Sequence, residues 1–313
     1  MPKVKTEWKS TKANPDEEHL KAEWNEEVKN LERSLAHTEE ASKRRKAKTE
    51  PLIRAAGFNH ADIDKLLKEG RGLSKKSLAE DESKLVKSPF DIDVLHEKDL
   101  KLARANAELI KGPGNPSWSG YIWNPSYGGN WMNWNGETEE IPSVVVDPAH
   151  KRIDPRAQTW GEGWWDWDYS QVHAYLAFTF RPPSWGHLHI SMYPWLHGYY
   201  SLYSDDNWYN TVYARAEIDT WAQVHQNFWR ARQYQRRFTM GGYELHPTRA
   251  DRIDRQYGVQ YYTNVGENDT VTIRIGVRLY CQAASSGGRS LLNFQAGSAN
   301  YVYIPYVYWY LHH

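Results

Sequence analysis

The sequence predicts an α+β protein with segregated halves, in which a charged N-terminal helical arm precedes an all-β antiparallel domain of the sandwich or jelly-roll type. The first observation is an abrupt change of composition. All 21 tyrosines and 14 of the 16 tryptophans follow residue 112, whereas every lysine except Lys151 precedes it. The second observation is a change of periodicity, from spacings of three and four residues to alternation.

Both changes occur at the breaker sequence Lys-Gly-Pro-Gly-Asn-Pro over residues 111–116. We expect three regions on this basis. They are a disordered tail over residues 1–13, a helical arm over 14–112 and an aromatic-rich β-sandwich domain over 113–313. Within the arm, the predicted helices cover about 15–48, 60–69 and 93–111.

The first predicted helix starts with Asn14 as its N-cap and Pro15 at its first position. Pro51 is expected to end it, because proline has no backbone N–H to donate. The second helix is predicted from Asn59 as its cap and Gly70 as its terminator. Apolar residues form one narrow stripe on the first helix: Leu20, Trp24, Val28, Leu31 and Leu35.

Such narrow stripes do not supply a rich core of their own, so another surface has to cover them. The stripes can pack on the β-domain or on a second copy of the chain. Alternatively, residues 14–112 dock the protein into a larger protein assembly. The sequence leaves these partners open.

The β-domain is predicted from alternation of apolar and polar residues. The clearest run covers 270–281, where every second residue from Val271 to Cys281 is apolar. Short strands separated by Gly, Pro, Asn and Ser, without helices between them, indicate antiparallel sheets. Further strands are predicted at 172–180, 187–193, 197–203, 211–218, 221–231, 257–264 and 300–311.

An aromatic segment just after the boundary is predicted to be a loop that presents rings to a ligand. Its rings alternate with Gly, Asn, Ser and Pro, and rigid rings beside amides and hydroxyls suit a glycan or polymer. Packing between copies of the chain explains the same composition equally well. The six rings are Trp118, Tyr121, Trp123, Tyr127, Trp131 and Trp134.

A second aromatic run, residues 160–169, combines rings with acidic side chains. A carboxyl group against apolar rings has a raised pKa, which suits the general acid of a polysaccharide hydrolase. The candidate carboxylates are Glu162, Asp166 and Asp168. The candidate platform rings are Trp164, Trp165 and Trp167. Plain packing accounts for the same tryptophans, since each buries a large area.

Histidines provide the main candidates for a metal site. His187 and His189 alternate onto one face of a predicted strand, and His173 lies on a predicted neighbour. Together they are typical of a divalent-metal site in a jelly roll. No carboxylate can be assigned as a third ligand, and polar residues on an outer strand face explain the pair without a metal. We predict no cofactor, with a divalent metal at these histidines as the alternative.

Composition argues against several functions. The formal net charge is 0, and residues 113–313 carry 15 basic and 17 acidic side chains, so nucleic acid is not an expected partner. No apolar stretch reaches the length of a membrane span. The N-terminus lacks a secretory apolar region, so we expect a cytoplasmic protein as synthesised, exported only by lysis or a dedicated route. Nucleotide-binding, α/β-hydrolase and thiol-redox motifs are absent from the sequence.

We therefore predict a non-enzymatic binding or assembly protein. Its β-sandwich presents aromatic loops to a glycan, a polymer or a partner subunit, and its helical arm docks it into a larger assembly. A helical stalk with a β tip is the plan of many adhesins, which is an analogy at the level of fold. One alternative is a polysaccharide-acting hydrolase or a histidine-based metal enzyme on the β-domain. Another is a purely structural subunit of a homo-oligomer.

Overall fold

The computed structural model describes residues 4–10, 17–110, 118–136, 141–161, 163–164, 166–205, 212–243, 245 and 248–312. Within them, three helices lie near the N-terminus and many antiparallel strands follow, with 29% of residues in helices and 46% in strands. The predicted fold class, a segregated α+β chain with a β-sandwich, is confirmed.

In the described residues, one strand and three helices precede sixteen further strands. The first four elements are β1 (Lys5–Ser10), α1 (Glu17–Ala55), α2 (His60–Leu85) and α3 (Ile92–Ile110). The remaining strands are β2 (Ser119–Ile122), β3 (Tyr127–Trp134), β4 (Ser143–Asp147), β5 (Arg152–Trp160), β6 (Trp167–Phe180), β7 (Gly186–Met192), β8 (Trp195–Tyr203), β9 (Tyr213–Gln226), β10 (Phe228–Trp229), β11 (Gln233–Tyr243), β12 (Arg249–Gln256), β13 (Val259–Val265), β14 (Val271–Ala284), β15 (Arg289–Asn293), β16 (Tyr301–Tyr303) and β17 (Val307–His312).

Strand β1 lies where the sequence predicted a disordered tail. It pairs antiparallel with β3, and Trp8 stands opposite Trp131 in the register. The two indoles stack, with ring centroids 5.6 Å apart and planes 16° from parallel. An aromatic cross-strand pair of this kind stabilises a sheet edge, which explains why this polar segment is a strand.

Helix α1 continues through Pro51, where its end was predicted, to Ala55. A proline in a helix interior costs about 3 kcal/mol. Two residues later, however, Ile53 is buried in a cluster with Ile63 and Trp164. Burial of an isoleucine contributes about 1.5–3 kcal/mol. Packing between α1 and α2 therefore offsets the cost of the proline.

Helix α2 begins as predicted but continues past its predicted end at Gly70. The Asn59 side chain accepts a hydrogen bond from the backbone N–H of the third helical residue at 3.0 Å. Beyond Gly70, the buried Arg289 guanidinium donates to the carbonyl oxygen of Ser74 at 2.7 Å. This contact with strand β15 holds the helix where a glycine alone favours termination.

The strands form three antiparallel sheets. The seven-stranded sheet has the order β1-β3-β6-β14-β9, after which β9 pairs with both β10 and β11. The six-stranded sheet contains β12, β8, β15, β5, β16 and β4. The four-stranded sheet has the order β13-β7-β17-β2. Consecutive strands frequently belong to different sheets, so the chain crosses the sandwich repeatedly.

One continuous hydrophobic core lies between the seven-stranded sheet and the other two sheets. The alternating residues of β14, from Val271 to Cys281, are completely buried in it, as their periodicity predicted. Inner-facing residues of the six-stranded sheet, such as Leu292, and of the four-stranded sheet, such as Ile190, complete the cluster. The opposite faces of the three sheets point away from this core.

The helices pack on the outer faces, and α3 also contacts β2 of the four-stranded sheet. On the seven-stranded sheet, Leu20 and Trp24 of α1 pack in a cluster with Trp131 and Trp221. On the six-stranded sheet, Ser201 donates a hydrogen bond to Asp81 of α2 at 2.5 Å. The helical stripes thus pack on the β-domain, while docking of residues 14–112 into a larger assembly remains a prediction. None of the described helices is long and apolar enough to cross a membrane.

Candidate ligand-binding face

The segment predicted to be one aromatic loop is divided between two sheets. It contains β2 of the four-stranded sheet and β3 of the seven-stranded sheet. Trp131 is 0% exposed beneath α1, Trp134 lies in the core, and Tyr127 packs against the α1 cluster. Trp118 packs partly buried against the core. The prediction of a single ring-presenting loop is therefore wrong, because the alternation within 127–134 is that of a strand.

The second aromatic run is largely enclosed. Trp164 is buried between α1 and α2, and Trp167 is half-buried beside Tyr213, with ring centroids 5.3 Å apart. Asp166 is exposed whereas Asp168 is buried. Partial desolvation of its carboxyl group by the surrounding residues nevertheless raises the pKa of Asp166. The remaining two candidates, Glu162 and Trp165, lie outside the described residues. Hydrolysis by these carboxylates stays a prediction.

The three candidate metal-binding histidines do not converge. His173 lies on the outer face of the seven-stranded sheet, whereas His187 and His189 lie on the outer face of the four-stranded sheet. These two faces point in opposite directions, because both sheets turn their inner faces to the shared core. Among the described residues, no group of three or more His, Cys, Asp or Glu side chains is arranged to hold a metal ion.

The outer face of the four-stranded sheet carries aromatic rings aligned across its strands. His189 stands opposite Tyr262 of β13 on one side and Tyr310 of β17 on the other. The His189 ring stacks on Tyr262 at 4.3 Å and 14°, and it meets Tyr310 edge-on at 4.8 Å. Tyr262 is 58% exposed. The middle of this sheet is therefore a line of three contacting rings, of which Tyr262 is exposed and His189 and Tyr310 are half-buried.

A second line of rings runs beside the first. Tyr308 of β17 stands opposite Tyr121 of β2, with ring centroids 5.1 Å apart. Trp123 stacks on Tyr121 at 5.2 Å and 13°. We call the outer face of the four-stranded sheet, with both lines of rings, the aromatic face. Its rings are those of Tyr121, Trp123, His187, His189, Tyr262, Tyr308, Tyr310 and His312.

Small polar groups lie between the rings of the aromatic face. The Tyr262 hydroxyl donates to Gln260 Oε1 at 3.1 Å. Asn264 bonds the ring of His187, and Ser191 Oγ lies 3.4 Å from His189 Nε2. Amides and hydroxyls among rings supply both donors and acceptors to a ligand lying on the face.

The four described strands of the aromatic face present no carboxylate, lysine or arginine side chain on their outer side. Burial and the neighbouring His312 lower the pKa of His189 below its usual value, which favours the neutral imidazole. The face is thus suited to an uncharged partner.

Sequence reasoning identified Tyr121, Trp123, His187 and His189 but missed the other half of the face. The missed rings are those of Tyr262, Tyr308, Tyr310 and His312. The sequence of the last strand does indicate three of these rings, because Tyr308, Tyr310 and His312 alternate there with Val307, Trp309 and Leu311. Alternation predicts that three rings share one side, but the neighbouring strands cannot be inferred from it.

No family model and no curated protein matches the chain. Among solved structures, a family 35 carbohydrate binding module from Clostridium thermocellum shares 12% identity, with 55% of this chain and 98% of that chain covered and a TM-score of 0.18. TmCBM61 in complex with beta-1,4-galactotriose shares 9% identity, with coverages of 58% and 88% and a TM-score of 0.14. Likenesses this low carry no functional argument, so function has to be argued from the aromatic face.

Proposed function

We propose that this protein is a non-enzymatic glycan-binding protein whose aromatic face stacks against the sugar rings of a neutral polysaccharide. The observation that carries the proposal is the alignment of rings across four strands, from the exposed Tyr262 to the half-buried Tyr121. A sugar ring has an apolar C–H face and a rim of hydroxyls, and tyrosine combines an apolar body with a polar tip in the same way.

The size of the aromatic face favours an extended ligand. Neighbouring strands lie about 4.8 Å apart, so four strands span roughly 14 Å. The rings of Tyr262, His189 and Tyr310 follow this direction across three of the strands. A chain of sugar residues lying across the sheet would contact several of these rings at once. Several weak contacts made together give a higher affinity than any one of them alone.

The chemistry of the face supports binding without catalysis. Glycoside hydrolysis requires a pair of carboxyl groups on either side of the scissile bond. Among the outward-facing residues of the four described strands of the aromatic face, none carries a carboxyl group. A flat surface of neutral rings can hold a polysaccharide but has no acid and base with which to cleave it.

Affinity gel electrophoresis with xyloglucan, arabinoxylan and galactan tests this proposal, with polygalacturonate as the charged comparison. We expect at least one neutral polysaccharide to retard the wild-type protein. The double variant Tyr262→Ala, Tyr310→Ala is expected to bind at least tenfold more weakly, a loss of about 1.4 kcal/mol. The matched control is Tyr243→Ala, which removes an exposed tyrosine from the seven-stranded sheet.

Three results would overturn the proposal. In the gels, these are no retardation of the wild type by any polysaccharide, or equal retardation of the double variant and the wild type in every gel. The third comes from light scattering. A wild-type oligomer that the double variant converts to monomers would assign the aromatic face to contact between copies of the chain.

A further inference from the structure

A second site lies on the opposite side of the sandwich. A cavity of about 570 Å³ separates α1 from the outer face of the seven-stranded sheet. Its size falls within the range of about 300–1,000 Å³ that is typical of small-molecule sites. The lining residues that matter for its chemistry are Glu27, Asn133, His173, Asp219, Arg236 and Arg278.

Two buried side chains in this cavity have a polar atom without a hydrogen bond in the described part of the chain. They are Oδ1 of Asn133 and Nδ1 of His173, and each residue is 1% exposed. Asn133 on β3 stands opposite Gln171 on β6, two residues before His173, so both atoms belong to one patch of the wall. A buried polar atom without a partner costs about 1–3 kcal/mol. A bound molecule that reaches the patch can supply the hydrogen bonds that these two atoms lack.

The charges that line the cavity cancel. Arg278 Nε donates to Asp219 at 2.7 Å, and Arg236 bonds the same carboxylate. Glu27 accepts from Arg232 at 2.6 Å. The lining thus holds two carboxylates and two guanidinium groups. Burial, together with nearby arginines, holds the pKa of His173 well below its usual value, so its imidazole is neutral.

These features define the ligand by its chemistry. A cavity without net charge does not attract an ion. The orphaned amide oxygen requires a donor, and the imidazole nitrogen requires a donor or an acceptor according to its tautomer. A hydroxyl group supplies either. Several hydroxyls on one small molecule can bond this patch together with the guanidinium groups and carboxylates beside it.

We propose that this cavity binds a small, uncharged, polyhydroxylated molecule, of the size of a single sugar residue or a cyclic polyol. The site is separate from the aromatic face, because the two lie on opposite outer faces of the sandwich. Since Glu27 belongs to α1, the bound molecule would also connect this helix to the sheet.

Thermal unfolding and titration calorimetry with D-glucose, D-galactose, D-mannose and myo-inositol test the proposal. We expect at least one of them to raise the Tm of the wild-type chain. Asn133→Leu replaces the amide by an apolar group of similar shape, so the unliganded variant should be no less stable than the wild type. It should nevertheless bind the same compound at least tenfold more weakly.

The double variant Tyr262→Ala, Tyr310→Ala is the control, and it should bind the small molecule as the wild type does. This arrangement separates the two proposals, because each variant removes one site. The proposal would be overturned if no compound raises the Tm, or if Asn133→Leu keeps the wild-type affinity. Tighter binding of D-galacturonate than of D-galactose would also overturn it, since it would assign the cavity to an anion.

Discussion

The outer faces of the seven-stranded and four-stranded sheets both carry rows of aromatic rings, but α1 covers the middle of the first, whereas α3 contacts the second at its edge strand β2. On the seven-stranded sheet, Trp131 and Trp221 are completely buried beneath α1. On the four-stranded sheet, Tyr262 and Tyr310 contact His189 at the surface. Ring content is therefore a poor guide to exposure. The position of one helix decides which rings are structural and which can meet a ligand.

The two faces also differ in charge. The covered face contains Arg232, which is 5% exposed at its side chain and is paired with Glu23 and Glu27 of α1 at 2.8 and 2.6 Å. The aromatic face has no charged side chain among its described strand residues. Ion pairs across a helix–sheet contact fix its register, whereas a neutral face avoids the desolvation cost of charges when it binds a neutral ligand.

The largest test of this contrast is Trp131→Ala, compared with Tyr262→Ala. Truncation of a completely buried tryptophan is expected to cost about 3–5 kcal/mol, because a cavity remains between α1 and the sheet. The exposed tyrosine should cost less than about 1 kcal/mol. Urea unfolding measures both free energies. Equal losses would show that the aromatic face is a structural surface like the covered one.

Removal of the buried guanidinium group should have the next largest effect. Arg232 lies 4.8 Å above the Trp131 ring and 5.0 Å above Trp221, so Arg232→Met keeps much of the packing but leaves two carboxylates without their partner. We expect a loss of about 3 kcal/mol in the free energy of unfolding. Adding Glu23→Gln and Glu27→Gln should restore part of it in a thermodynamic cycle.

The control for this variant is Arg44→Met, which breaks an exposed pair with Glu40. It should cost less than about 1 kcal/mol. Failure of the two glutamine substitutions to restore any stability would contradict a charge-based role for Arg232 and leave only its contact with the two indoles.

A smaller effect is expected from acid, which should act where α3 contacts the six-stranded sheet. His96 Nε2 lies 3.0 Å from His197 Nε2, and His197 Nδ1 donates to Asp254 at 3.1 Å. Burial, followed by the charge of His197, lowers the pKa of His96 to about 4. The unfolded chain, with a histidine pKa of about 6.5, therefore binds the extra proton between pH 6.5 and 4.

Stability should accordingly fall as the pH decreases through this window, by on the order of 2 kcal/mol for His96. Denaturation curves at pH 7.5 and 4.5 measure the loss. His96→Gln should show a smaller loss than the wild type, whereas His187→Gln on the aromatic face should keep the wild-type difference. An unchanged pH dependence in His96→Gln would exclude this residue as a source of acid sensitivity.

The fold class and most strand positions could be predicted because alternation is a local property. The run from Val271 to Cys281 needed no knowledge of the rest of the chain. Helix lengths were underestimated at Pro51 and Gly70 for the opposite reason. Tertiary contacts, of Ile53 with Trp164 and of Arg289 with Ser74, extend the helices. Intrinsic helix propensity does not determine where a helix ends when tertiary packing contributes more free energy.

The site could be predicted only in part, because alternation does not say which sheet a strand joins. His173 and His187 lie on consecutive strands of the sequence, yet β6 belongs to the seven-stranded sheet and β7 to the four-stranded sheet. For the same reason, the sequence could not show that Tyr121 and Trp131 belong to different sheets. Rings from β13 and β17 complete the aromatic face through pairings between distant segments, which no local pattern encodes.

Strand β1 has a consequence for biosynthesis. Its partner is β3, whose residues are 127–134, so β1 has no sheet to join until more than a hundred further residues have been synthesised. Until then β1 has no strand beside it, and unpaired strand edges recruit other chains. Lysines at positions 5 and 9 give the finished edge a charge that discourages such pairing.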